Sequence, residues 1–361
     1  MKKNKIFSLN LFSDLDKWIF FSILILMLIG VFGVFSASTR IDEKYDLLFK
    51  KHLFFCLLSF IIICIIAKLS LRNLILLSLI VFLISLMMSA STLFFFPETK
   101  GASRWIKILN ISFQPTEIIK PTFIIISSLL LSRYKTKNDA SLFLNILIFF
   151  TIISILLKQP DFGMFLLIFS VWIIQIFNSK LNPKIFIPII FTFFSIFVFC
   201  YFLLDHVRFR INNFFFTNVG DNYQITKSLD SFTNGGLLGQ GLGNGSVSKS
   251  LPDAHSDFIF ALIGEEFGFL TIILIISIYF LIYFRIFLIS QKTQNFFILN
   301  SLVGLANILT FQTIINISSS LNILPTKGMT LPFISYGGSS LISNAILIGF
   351  IMVLIKVIKN E

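Results

Sequence analysis

Apolar runs long enough to cross the hydrocarbon core of a bilayer begin near Trp18, His52, Asn73, Ile118, Ser141, Asp161, Lys184, Asp257, Phe297 and Ser335, which predicts about ten membrane helices. Backbone amides and carbonyls find no water in lipid, so each run has to satisfy them internally as a helix. The first run extends to about Ser38, too long for a signal-peptide core, and reads as a retained helix although Ser36-Ala37-Ser38 has the small residues of a cleavage site. Hydrophobic residues make up 56% of the chain and charged ones 13%, too few to solvate a water-exposed domain. Phe alone occurs 47 times, and the runs read as apolar all round, a texture that predicts lipid-facing helices.

The expected fold is therefore an all-α membrane protein of about ten transmembrane helices with a long fourth outer loop. It forms a single domain over residues 1–361, with 1–17 as a cytoplasmic tail and 206–256 as a large periplasmic loop. An even number of spans puts both termini on one side. Placing them in the cytoplasm divides Lys and Arg almost evenly and leaves most carboxylates outside, so the excess positive charge meets anionic lipid. A net charge of +12 would suit nucleic acid, but no soluble basic domain carries it and no nucleic-acid partner is expected. Cys56, Cys64 and Cys200 lie in apolar runs without paired spacing, and His52, His206 and His255 are too scattered for a metal site.

Charge at membrane depth is costly, so each such residue is a candidate for function. In Leu251–Gly268, Asp253, His255 and Asp257 open a helix, with Glu265 and Glu266 two to three turns inside it. Asp253 suits an N-cap. Asp257, at the mouth of a membrane cavity and facing a polar loop, is placed to accept a proton. Glu265 lies eight residues on, close to the same face, and Glu265 and Glu266 equally suit pairing with basic residues between helices. Glu117 and Lys120 stand at i, i+3 and would pair, either for packing or for chemistry. Trp105 suits an interface anchor. Lys158-Gln159-Pro160-Asp161-Phe162-Gly163 is a helix-breaking turn with one charge of each sign. Arg208 and Arg210 open the long loop, where guanidinium donors match either diphosphate or lipid headgroups. The glycine run from Gly235 to Gly245 lacks the Lys-Ser/Thr of a phosphate-binding loop, which leaves flexibility or close backbone approach to a lipid-linked substrate. Leu324–Ser340 is interrupted by Gly and Pro at membrane depth, a backbone tolerated where it is buried or lines a cavity.

The runs Gly101–Trp105, Gln114–Lys120, Gln159–Gly163, Gly235–Gly243, Pro252–Gly268, Gln312 with Asn316, and Pro325–Ser340 resemble, in order and across nearly the whole chain, the motifs of the SEDS family of peptidoglycan glycosyltransferases. Thr326-Lys327-Gly328 and Leu251–His255 are similar to the family's division branch more than to its elongation branch. The resemblance implies a ten-helix enzyme of the bacterial inner membrane that polymerises lipid II, an undecaprenyl-diphosphate-linked disaccharide, for septal wall synthesis. It implies Asp257 as the essential aspartate. Arg104, Glu117, Lys120, Asp161, Arg210, Glu265 and Lys327 match polar family positions, and together with His255 and Ser335 of the same motifs they are expected to bind substrate. A divalent cation, Mg2+ or Mn2+, at the diphosphate, a class B penicillin-binding transpeptidase and other division proteins are the implied cofactor and partners. The chain departs from the pattern at Lys249, where the division branch often carries an acidic residue, and at Asn222, where glycine is common. The usual proline between Arg210 and Gln224 is absent.

On this reading Asp257 takes the proton of the acceptor 4-hydroxyl, which attacks the donor anomeric carbon as the lipid diphosphate leaves with inversion. Arg210 and Lys327, with Arg104 or Lys120, steady the leaving group. A flippase using the same charges as relays is the rival from another class, but it should place key polar residues near the midplane. A scaffold that only recruits the transpeptidase would have no need of Asp257.

Overall fold

The computed structural model describes residues 15–38, 44–97, 103–108, 111–136, 138–181, 183–203, 207–208, 212, 223–325 and 328–360. Its helices are α1 (Lys17–Ser38), α2 (Lys44–Ile66), α3 (Leu71–Phe95), α4 (Pro115–Lys135), α5 (Asp139–Lys158), α6 (Phe162–Asn178), α7 (Pro183–Leu203), α8 (Tyr223–Gly235), α9 (Ile259–Ser290), α10 (Phe296–Ser320) and α11 (Gly338–Asn360). A short antiparallel hairpin, β1 (Ile106–Ile108) with β2 (Ile111–Phe113), precedes α4, and a single 3-10 turn occupies Ser248–Ser250. Among the described residues, eight helices are long and apolar enough to span a membrane, and two shorter apolar ones, α6 and the Pro183–Thr192 part of α7, account for the remaining expected runs. The chain is thus a multi-pass membrane protein. His206, Arg210, Lys327, Gly101 and Ala102 lie outside the described residues, as does most of the 1–17 tail.

Local chemistry sets several boundaries. Pro115 opens α4, where its missing N–H costs nothing. Ser70 caps α3 by accepting from the Asn73 amide, and Asn295 caps α10 by accepting from Phe297 and Ile298. The helix expected from Asp257 begins at Ile259, after Phe258, and no side chain caps it.

Apolar character all round does not mean lipid contact for every helix. Only 28% of the apolar windows of α2 and α3 is buried, against 83% for α4 and 72% for α11. α4 packs on α3, α5, α6, α10 and α11, and it carries buried Thr116, Glu117, Lys120, Thr122, Ser127 and Ser128. Its polar side chains bond to neighbouring helices. Asn145 on α5 donates to Ser127, and Gln175 on α6 donates to Ser128 and to the Ile124 carbonyl.

α9 is broken inside. Gly268 has φ 78° and ψ 177°, a conformation open essentially to glycine alone, and the helix is interrupted there. The interruption frees carbonyls and amides that would be very costly in an apolar surround. The glycine run supplies their partners: Gln240 and Gly241 donate to the carbonyls of Glu265 and Glu266, while the carbonyls of Gly236 and Leu237 accept from Phe269 and Leu270. A Cβ on Gly239 would lie 2.2 Å from the Glu266 carbonyl oxygen, so the run lies flat against the break. The close approach anticipated from these glycines is made to the protein's own helix.

At the opposite end of α9, buried Asp16 pairs with Arg285 at 3.0 Å and with Lys359 of α11 at 3.4 Å. Burial pushes its carboxyl up, but the two cations outweigh burial and hold it below the usual carboxylate range.

Gly268→Ala is expected to add at least about 1–3 kcal/mol of backbone strain, before any overlap with the loop is counted. A lower melting midpoint and a lower folded yield of the detergent-purified protein are the measurable results.

Candidate active site

One end of the bundle holds a cavity of about 670 Å³. The turn before α9, the last turns of α10, the hairpin ahead of α4, and the segment leading into α11 all contribute to its wall. First-turn or cap residues of α4, α6, α8, α9 and α11 lie on its wall, so the positive ends of five backbone dipoles adjoin it, opposed by the C-terminal end of α10. Among the described residues, three cationic side chains, Lys51, Arg104 and Lys107, and four carboxylates, Glu117, Asp161, Asp253 and Asp257, stand on the wall. Such a surface suits a ligand that carries both phosphate and hydroxyl groups.

Asp257 lies on the wall in a turn closed by the Asp253 carbonyl, which accepts from the amides of Ser256 and Asp257. Asp253 itself has φ 53°, a left-handed conformation that aspartate tolerates better than most residues. Gly328 faces the Asp257 carboxyl so closely that a Cβ there would lie 3.0 Å from Oδ2. His255 shares the wall, its ring 5.6 Å from that of Tyr336. Burial raises the Tyr336 phenol above its ordinary value, so it stays protonated at neutral pH.

Arg104 is pinned to the turn before α6. Its Nε donates to the Gln159 carbonyl at 3.0 Å, its Nη2 to the Pro160 carbonyl, and its Nη1 lies 3.6 Å from Asp161 Oδ1. Asp161 in turn caps α6 by accepting from the Met164 amide, and it accepts from Gln114 Nε2 at 3.1 Å. Both side chains line the cavity, but several of their bonding positions are already engaged.

Glu117 and Lys120 pair at 2.7 Å within α4, and Lys120 Nζ also donates to Gln312 Oε1 of α10 at 2.8 Å. Glu117 reaches the cavity wall, whereas Lys120 is 1% exposed behind it. Gln312 continues the network by donating to Thr330 and Ser340.

Glu265 and Ser335 stand off the wall. Glu265 Oε1 accepts from the Val247 amide and Asn234 Nδ2, and Oε2 accepts from the Ser248 amide at 2.7 Å. It holds the loop that follows the glycine run, a contact invisible to spacing along α9. Ser335 Oγ donates to the Ser256 carbonyl and accepts from the Leu331 amide. Lys51, Lys107, Gln114, Thr330 and Asn316 line the cavity without having been singled out for a role. Asn316 and Gln312, four apart on a predominantly apolar helix that also carries Asn300 and Asn307, were legible as polar groups at membrane depth.

The profile of the FtsW/RodA/SpoVE family, described as cell cycle protein, matches residues 16–360. The chain belongs to this family. It is 36% identical over 344 residues to the probable peptidoglycan glycosyltransferase FtsW of Wigglesworthia glossinidia brevipalpis, covering 91% of this chain and 90% of that one. Its fold matches a chain of a peptidoglycan synthase complex that coordinates polymerization and crosslinking, with TM-score 0.77, 21% identity, and coverage of 96% and 99%. It also matches the rod shape determining protein RodA of Thermus thermophilus, with TM-score 0.67, 23% identity, and coverage of 97% and 98%. In the FtsW/RodA/SpoVE setting, the buried Glu117–Lys120 pair and the cavity in front of it belong to one connected polar core.

Glu117→Gln would leave the Lys120 ammonium buried without its counter-charge, a loss of about 3–5 kcal/mol in comparable pairs. The melting midpoint should fall clearly in the single variant, and Glu117→Gln with Lys120→Met should recover most of the loss.

Proposed function

We propose that the protein is a peptidoglycan glycosyltransferase that polymerises lipid II on the outer face of the bacterial cytoplasmic membrane during septal wall synthesis. Membership of the family and the FtsW relative support the activity and its division role. The observation that carries the mechanism is Asp257, on the wall of a polar cavity that also holds the first turns or cap residues of five helices.

Asp257 removes the proton from the acceptor sugar hydroxyl. The oxygen bonds to the anomeric carbon of the donor, the bond from that carbon to the diphosphate breaks, and the lipid diphosphate departs with its electron pair. One displacement inverts the anomeric centre, so no second carboxylate is needed as nucleophile. The helix dipoles at the wall and the wall cations stabilise the charge that develops on the leaving group. Arg104 contributes as a fixed charge, while Arg210 and Lys327 join it as proposals from sequence. Among the described residues no group of three or more His, Cys, Asp or Glu side chains could hold a metal ion, so a protein cage does not fit there. A divalent cation at the diphosphate would take its ligands mainly from substrate and water, and no step is assigned to it. A class B penicillin-binding transpeptidase is the proposed partner.

Charged side chains gathered at one end of the bundle favour surface chemistry over the alternating access of a flippase. Asp257→Asn should lower polymerisation of labelled lipid II by about 10²–10⁴-fold, the usual share of general-base catalysis, without moving the melting midpoint. Wild-type polymer from this variant would remove the mechanism, and lipid II flipping in vesicles without polymer would favour the transporter.

A further inference from the structure

Three consecutive carbonyls of the Asp257 turn are each held from outside it. The His255 oxygen accepts from the Tyr336 amide at 2.9 Å, the Ser256 oxygen from Ser335 Oγ at 2.6 Å, and the Asp257 oxygen from Asn316 Nδ2 at 3.0 Å. Of the three donors, Asn316 touches the residue that carries the carboxyl. Its second N–H goes to the Met329 carbonyl at 2.6 Å, next to Gly328, the glycine that faces that carboxyl. The amide orientation is fixed by these partners, since the opposite one would set an oxygen against two carbonyl oxygens. The side chain is 1% exposed, and its buried Oδ1 has no hydrogen-bond partner among the described residues. Leaving an acceptor unpaired in the interior is costly, and what the site gains in return is both N–H groups at the junction of two backbone segments.

We propose that Asn316 is a positioning residue for glycosyl transfer, a clamp on α10 that fixes the Asp257 turn against the Gly328–Met329 backbone and so sets where the base meets the acceptor hydroxyl. The inference rests on the reading of Asp257 as that base. α10 is a 25-residue helix with two-thirds of its apolar window buried, a rigid support for such a clamp. Holding the carbonyl of Asp257 restrains the peptide plane beside its Cα and, through it, the direction of the Cα–Cβ bond. Misplacing a reacting group by about 1 Å costs on the order of 100-fold in rate. Substrate binding uses the rest of the wall and is left alone.

Asn316→Leu keeps the approximate volume and removes both donors, and Asn316→Asp keeps the shape while replacing NH2 with oxygen. With full-length protein and labelled lipid II, each folded variant should lose about 10–100-fold in kcat while KM stays within about twofold. Asp257→Asn is run beside them. A wild-type kcat in either folded variant overturns the clamp, as does a rise in KM with kcat preserved, or failure of both variants to fold. Activity in Asp257→Asn would instead sink the base reading, and the clamp with it. An inactive Asp257→Asn beside Asn316 variants of normal kcat would remove the clamp alone.

Discussion

In an apolar surround a helix can be interrupted only where protein supplies the missing backbone partners, and the architecture of the site depends on meeting that condition at Gly268. α9 runs over 32 residues, more than a bilayer crossing requires, and its break separates the first turns behind the Asp257 loop from the long span beyond. The glycine run closes the gap with two donors and two acceptors. Glu265, one turn before the break, then gathers the chain that follows by binding the Val247 and Ser248 amides. The kink and Glu265 together therefore anchor the part of the long loop from Gly236 to Ser248.

A second condition concerns charge. The bundle accommodates a buried ammonium and a carboxylate in the first two turns of α4 because each has the other, with Gln312 completing the ammonium's shell. Beside this pair, the first turns of several helices share the cavity wall with Lys51, Arg104 and Lys107, so their peptide dipoles add positive potential to a wall that also holds carboxylates.

The spans were legible because hydrocarbon imposes the same demand on every one of them, and all the expected runs became apolar helices. The burial of α4 was less legible, since a helix apolar all round looks alike whether lipid or protein covers it. Its Thr, Ser, Glu and Lys residues were the available sign. Within the site, Arg104, Glu117, Asp161, His255 and Asp257 line one cavity as residues chosen for their charge or motif. Glu265 shares that chemistry yet faces the loop, because its partners lie 17 and 18 residues upstream and reach it only through the fold of the glycine run. Asn316 shows the reverse limit, for its importance lies in which carbonyls it meets, and spacing along α10 does not encode that.

The ionic clasp around Asp16 has a consequence for how the protein is made. Its partners Arg285 and Lys359 follow it by 269 and 343 residues, so the carboxylate emerges from the ribosome long before either cation exists. α1 can enter the membrane early, but the anchorage at its N-terminal end waits for α9 and is completed by α11. The order of synthesis thus makes closure of this ring of charge one of the last events in assembly, a latch set after the walls are standing.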